Sequence, residues 1–259
     1  MFISWLLFTS LSWRVYSINA MTHDWNYYGH FDAVFYSLSQ VVQGKTILVD
    51  LPSSYGLFPE LIAPLFKIIG LSVFKFSIFM WLLQIISLIS LFYLLTKIIK
   101  NTFILFIVTP SIILMTFANF GGVIDAYYQY CPIRFFWPAI SVLLFFFFCK
   151  NKSIYKSALI SFTAAIASIW NFETGIMIFI SYAIYLLIRF YFLTQSKQIN
   201  FSENNKDWVK SDFLKSFILH ILIFLLTISI FLLCLNILSN KPLNYSWLYE
   251  YQHIFYLLG

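Results

Sequence analysis

Residues 73–98 read VFKFSIFMWLLQIISLISLFYLLTKI. Between Lys75 and Lys97 this stretch carries no charge, and its polar members are serines, one glutamine and one threonine. About 20 consecutive apolar residues are enough to cross the hydrocarbon of a bilayer as a helix. In lipid a helix is the form that satisfies its own backbone groups. The stretch therefore predicts a membrane-spanning helix. Moving outward, further apolar runs occupy 102–119, 132–149, 155–170, 173–194 and 213–238 on one side and 2–20 on the other. The expectation is an all-α polytopic bundle of about seven spans, with 1–259 forming a single membrane domain.

Composition agrees. Of the 259 residues 61% are hydrophobic and 10% are charged, and the mean hydropathy is +0.84. A soluble domain carries about 25% charged residues, so this chain cannot cover its surface with polar groups. The net charge of +6 does not point to nucleic acid, because the basic residues sit mostly in short loops between apolar runs. Those loops hold Lys97 and Lys100; Lys150, Lys152 and Lys156; and Lys197, Lys206 and Lys210. All three fall on one side, which the positive-inside rule makes cytoplasmic, with 195–212 the longest of them. Seven of the ten acidic residues lie on or near the opposite, external side: Asp24, Asp32, Asp50, Glu60, Asp125, Glu173 and Glu250. Cys131, Cys149 and Cys234 form no CxxC and read as apolar filler. His220 in the last span has no carboxylate at helical spacing and reads as a neutral, hydrogen-bonded histidine.

The first external loop, 21–72, is the richest segment. Phe31, Val34, Phe35, Leu38, Val41 and Val42 follow helical spacing, with Gly44 as the stop. A helix this short and two-faced is expected to lie flat at the membrane interface. A second interfacial helix is expected from Pro59 through Glu60 to Ile69, ended by Gly70. Between them Lys45–Asp50 reads as extended and Leu51–Gly56 as a turn.

Four constellations could carry chemistry. His23-Asp24-Trp25 with His30-Phe31-Asp32 places two carboxylates and two imidazoles beside the membrane. A carboxylate there can serve as general base or hold a divalent cation, Mg or Mn, on Asp24 and Asp32; the plainer alternative is that Asp32 sits in a helix first turn. Asp50 with Ser53, Ser54, Tyr55 and Gly56 suits a ligand loop, with Tyr55 stacking on a sugar, or simply a capped turn. Tyr127–Tyr130 followed by Arg134 suits capture of a lipid phosphate, or a plain interfacial anchor, with Asp125 near enough to pair with Arg134. Trp170-Asn171-Phe172-Glu173-Thr174-Gly175 is a very short hairpin, where Glu173 suits a helix start or completes an acidic external cavity.

This layout resembles the GT-C superfamily of membrane glycosyltransferases. The likeness rests on His30-Phe31-Asp32, Gln43-Gly44-Lys45, Val49-Asp50 and Ser54-Tyr55-Gly56-Leu57, with Arg134-Phe135-Phe136 and the Trp170–Gly175 hairpin. It covers most of the chain in layout and some 35 residues in motif. The resemblance implies transfer of a sugar from a polyprenyl-phosphate donor to a cell-envelope glycan, lipid or protein acceptor, on the external face of a bacterial inner membrane. It implies Asp24, or Asp32, as catalytic base, with His23, His30, Asp50, Tyr55, Arg134 and Glu173 binding substrate and Arg134 meeting the donor phosphate. Asp24 is followed by Trp25 where the family often has a second acid, and the chain stops shortly after the last span. An N-terminal portion of a longer enzyme is expected on that ground. The other classes open to the sequence are a lipid-linked sugar carrier or flippase and a non-catalytic membrane subunit.

Overall fold

The computed structural model describes residues 25–52, 55–117, 128–150, 154–196 and 203–247. Regular structure among them is helical: α1 (Trp25–Val42), α2 (Phe58–Ile69), α3 (Val73–Ile98), α4 (Thr102–Phe117), a bent turn at Gln129–Ile133, α5 (Phe136–Lys150), α6 (Ile154–Trp170), α7 (Phe172–Ser196) and α8 (Glu203–Ser239). The expected span at 2–20 lies outside the described residues.

Among the described residues four stretches are long and apolar enough to cross a membrane: Val73–Ile98, Cys131–Cys149, Phe172–Phe192 and Phe213–Ser239. Each coincides with an expected span. The other two described runs form shorter apolar helices, Thr102–Ile112 and Ile154–Trp170. At 1.5 Å per residue α6 measures about 25 Å, under the hydrocarbon thickness of about 30 Å. The surfaces of the long helices carry bare aliphatic side chains; Leu238 is 80% exposed, and Leu226 and Ile237 are exposed too. Such surface is compatible with lipid as solvent, so the chain is an integral membrane protein. α8 starts at Glu203, so part of the expected 195–212 loop is helix.

α6 is the hub, packing on α5, α7, α8 and α2. Its sequence explains this. Ser157, Ser161, Ala164, Ala165, Ala167 and Ser168 are all buried, and small residues let helix backbones approach closely in membranes. Ser161 and Ser168 return their hydroxyls to the carbonyls of Ser157 and Ala164, so no polar group is stranded. Approach to α7 is closest at Gly175, where a Cβ would sit 2.0 Å from the Ser168 nitrogen. His220 from α8 is buried in this seam. Its Nδ1 lies 2.8 Å from Ser161 Oγ and its Nε2 3.1 Å from the Phe179 carbonyl, and its ring stacks on Phe179. In a neutral ring Nε2–H donates to the Phe179 carbonyl and Nδ1 accepts the Ser161 hydroxyl, whose one proton lies between Nδ1 and the Ser157 carbonyl.

The largest core lies where α1 and α2 fold against α3, α6 and the bent turn. Phe31 of α1 meets Phe35, Phe76 and Tyr128, and Phe66 of α2 meets Phe76 and Phe79. Phe31, Val34, Leu38 and Val41 form one stripe of α1 at the expected helical spacing, and that stripe is buried in the core. The chain leaves α1 through Gly44 (φ +98°), and α2 ends at Gly70. Lys45–Asp50 is not extended. Residues 48–50 form a turn between bridge partners Ile47 and Leu51. The Asp50 carboxylate accepts the Thr46 N–H at 2.9 Å, and Leu48 has φ +69°. A short acidic side chain that closes on the backbone favours a turn over a strand here.

Candidate functional site

The hairpin between α6 and α7 organises the site. Trp170 Nε1 donates to the carbonyl of Ile133 at 3.1 Å, which fixes the residue before Arg134. Asn171 is buried and works in two directions. Its Oδ1 accepts the Thr174 N–H at 3.1 Å, capping α7, and its Nδ2 donates to the Tyr55 carbonyl at 3.2 Å. Leu57 N–H adds a bond to the Ile169 carbonyl at 2.9 Å. Gly56 lies so close to this hairpin that a Cβ would come within 2.3 Å of the Trp170 oxygen, and its φ is +95°. Only glycine suits that backbone at that distance.

These tethers bring three of the expected binding residues together. Arg134 Nη2 lies 2.8 Å from Glu173 Oε2, and the Arg134 guanidinium lies 6.0 Å from the centre of the Tyr55 ring. Glu173 sits in the first turn of α7, where the helix dipole favours a carboxylate. The two ionic side chains are 32% and 48% exposed, so their pairing contributes little to stability, about 0–1 kcal/mol.

Beneath the pair runs a groove of about 660 Å³ between α5, α6 and α7. Ser141, Phe145, Ile160, Met177 and Ile188 line it, and Glu173 stands at one end. From Glu173 to Ile188 the groove follows α7 for about 22 Å at 1.5 Å per residue. Val142, Met177, Ile184 and Ile188 are exposed, so the groove opens sideways onto the face a bilayer covers. Ser141 is buried and lines this groove, and its hydroxyl has no hydrogen-bond partner among the described residues. Thr109, Ser161 and Ser181, by contrast, bond the carbonyl four residues back. An apolar trough with a charged pair at its mouth suits an amphiphile with a long chain and an anionic head.

The other expected residues fall elsewhere. Asp50 pairs with Lys241 at 3.1 Å, and the Thr46 N–H, then Lys241, hold its carboxyl below the usual carboxylate range. It fastens a turn and does not join Arg134. Asp32 is half-buried on α1, next in sequence to Phe31, which touches Tyr128 at the foot of the Arg134 turn. His30 lies in the backbone of α1. His23, Asp24, Asp125, Ser53 and Ser54 lie outside the described residues. Among the described residues no group of three or more His, Cys, Asp or Glu is placed to hold a metal ion.

Sequence reading missed the tethering roles of Trp170 and Asn171 and the groove hydroxyl of Ser141. A buried Asn between two helices, one residue before an acidic helix start, is the signal that was present. Glu60, expected at the start of the second short helix, also closes the neighbouring turn. Glu60 Oε1 accepts the Ile47 N–H at 2.7 Å, and burial pushes its carboxyl up to about 6 against the opposing pull of that bond and of Lys67. No protein-family model matches the sequence, no curated protein matches it, and no solved structure matches the fold.

Proposed function

We propose that this protein is a membrane glycosyltransferase that takes its sugar from a polyprenyl-phosphate donor. Arg134 holds the donor phosphate, the groove along α7 holds the start of the polyprenyl chain, and Tyr55 covers the sugar. Asp24, with Asp32 as alternate, deprotonates the acceptor, a glycan, lipid or protein of the cell envelope, as the sugar leaves from the phosphate. The supporting observation is the Arg134–Glu173 pair at the mouth of an apolar, laterally open groove. A guanidinium recognises phosphate through paired donors, and the groove accepts a chain without removing it from the bilayer. The positive-inside bias of the basic loops supports an external position for the Glu173 end.

The test is mass spectrometry of lipids that co-purify in mild detergent from wild type and Arg134→Ala, paired with product formation by Asp24→Asn, Asp32→Asn and the double variant. A polyprenyl-phosphate sugar present in wild type and lost in Arg134→Ala supports the reading. Full product formation by the double aspartate variant ends it. The length of the groove supports a second reading, a lipid-linked sugar carrier, which substrate movement across proteoliposomes without bond cleavage would favour.

A further inference from the structure

The groove has a second end. Ile188 is its last lining residue, and Arg189 follows it on α7. Arg189 is half-buried, and its Nε is shielded from solvent with no hydrogen-bond partner among the described residues. The two ion pairs found among those residues, Arg134–Glu173 and Lys241–Asp50, do not include it. Tyr182 and Tyr185, seven and four residues before it on the same face of α7, line the groove. The two ends therefore differ in charge. At the mouth the Glu173 carboxylate neutralises Arg134. About 24 Å away along α7, at 1.5 Å per residue, the positive charge of Arg189 has no carboxylate partner among the described residues.

A partly buried guanidinium is unfavourable without an anion. The supply of anions at that place is set by its surroundings. The groove is apolar and open on the side where Ile184 and Ile188 are exposed. A soluble anion would gain nothing from those walls. A lipid whose phosphate meets Arg189 and whose chain enters beside Ile184 and Ser181 uses both features. Basic pockets between membrane helices on the cytoplasmic side are suited to anionic headgroups.

We propose that the Arg189 end of the groove binds the phosphate of an anionic glycerophospholipid, with one acyl chain lying against Tyr185, Ile184 and Ser181. On the orientation given by the basic loops this lipid comes from the cytoplasmic leaflet. The site needs only that α7 spans the membrane and does not depend on the glycosyltransferase reading.

The test is native mass spectrometry of full-length protein re-lipidated with dioleoyl phosphatidylglycerol or dioleoyl phosphatidylcholine. Wild type is expected to retain one phosphatidylglycerol in preference to phosphatidylcholine by about tenfold, the scale of one charge-assisted bond. Arg189→Gln loses that preference and Arg189→Lys keeps part of it. Equal retention of both lipids by wild type, or an unchanged preference in folded Arg189→Gln, overturns the proposal. Displacement of the lipid by millimolar inorganic phosphate overturns it too, in favour of a free-anion site. Should Arg189→Gln not fold, wild type with a phosphatidylglycerol carrying a photoreactive acyl chain decides. Crosslinks within residues 181–188 are expected, and their absence there rejects the site.

Discussion

Trp170 reaches across to Ile133, its indole N–H 3.1 Å from that carbonyl, and so ties the end of α6 to the residue preceding Arg134. Asn171, next along, ties the same hairpin to Tyr55. Two adjacent side chains thus hold the cation and the ring of the candidate site in place from behind. Trp170→Phe keeps the buried ring and removes the donor. It is expected to lower stability by about 1 kcal/mol, the typical worth of one hydrogen bond, and to weaken binding of a polyprenyl phosphate more than it lowers the melting temperature suggests. Thermal unfolding in detergent beside a lipid-retention assay separates the two effects.

Asn171→Ala removes the α7 cap and the tether to Tyr55 together. A lost cap costs about 1–2 kcal/mol. Asn171→Asp keeps the acceptor for Thr174 but cannot donate to Tyr55. It is expected to retain most of the stability while raising proteolytic sensitivity around residues 51–57. Equal protease sensitivity in Asn171→Asp and wild type would show the tether to be unimportant.

Gly56→Ala and Gly44→Ala form an internal comparison. Both glycines have positive φ, but Gly44 has nothing within 4 Å of a Cβ, whereas Gly56 faces the Trp170 oxygen at 2.3 Å. Gly44→Ala is expected to cost about 1 kcal/mol of backbone strain. Gly56→Ala adds a clash with main chain and is expected to cost clearly more, with loss of lipid binding at Arg134. Similar melting temperatures for the two variants would contradict the close approach.

Glu173→Gln leaves Arg134 without its carboxylate. Since both side chains are well exposed, stability should change by less than about 1 kcal/mol. Affinity for an anionic headgroup at Arg134 should rise a few-fold, because the ligand no longer displaces a competing anion. Lipid titrations of Glu173→Gln and Arg134→Ala should move in opposite directions.

Glu60 gives the fold a pH dependence. Burial raises its carboxyl from 4.5 to about 6, so between those values the folded chain binds more protons than the unfolded one. This contribution to stability is complete below pH 4.5 and is lost as pH rises through about 6. At 1.36 kcal/mol per pKa unit the loss is at most about 2 kcal/mol. Glu60→Gln, whose amide oxygen can still accept from Ile47, should flatten this part of the profile and be the more stable protein at neutral pH. Denaturation midpoints from pH 4 to 8 read the difference directly.

Most of the secondary structure was legible because its signals are local. The charge-free run after Lys75 fixed α3 residue for residue, Pro59 and Gly70 bracketed α2, and the 3.6-residue stripe from Phe31 to Val41 gave the buried face of α1. The start of α8 was not legible, since Glu203–Ser211 is polar and its helix carries no apolar period. Within the site, Arg134 was visible as a phosphate-binding type, Tyr55 as a ring to stack on a sugar, and Glu173 as an acid at a helix start. Their assembly was not. Arg134 is 39 positions from Glu173, beyond the reach of local spacing, whereas Asp125 is its near neighbour along the chain. Asp50 suits a ligand loop or a capped turn by residue type, and the capped turn is what forms; its second partner, Lys241, lies 191 residues away.

That last contact bears on the order in which the molecule is completed. Lys241 grips Asp50, and the Asn244 N–H bonds the Leu48 carbonyl at 2.7 Å, so a segment made late in synthesis closes a turn made early. Contacts this distant in sequence form slowly and late. During synthesis the Thr46–Asp50 turn has only its local Asp50 and Glu60 bonds and lacks the Lys241 and Asn244 contacts until α3 to α8 have been made. A ribosome stalled before residue 240 would leave that turn open to cleavage, and release of the chain through residue 247 would seal it.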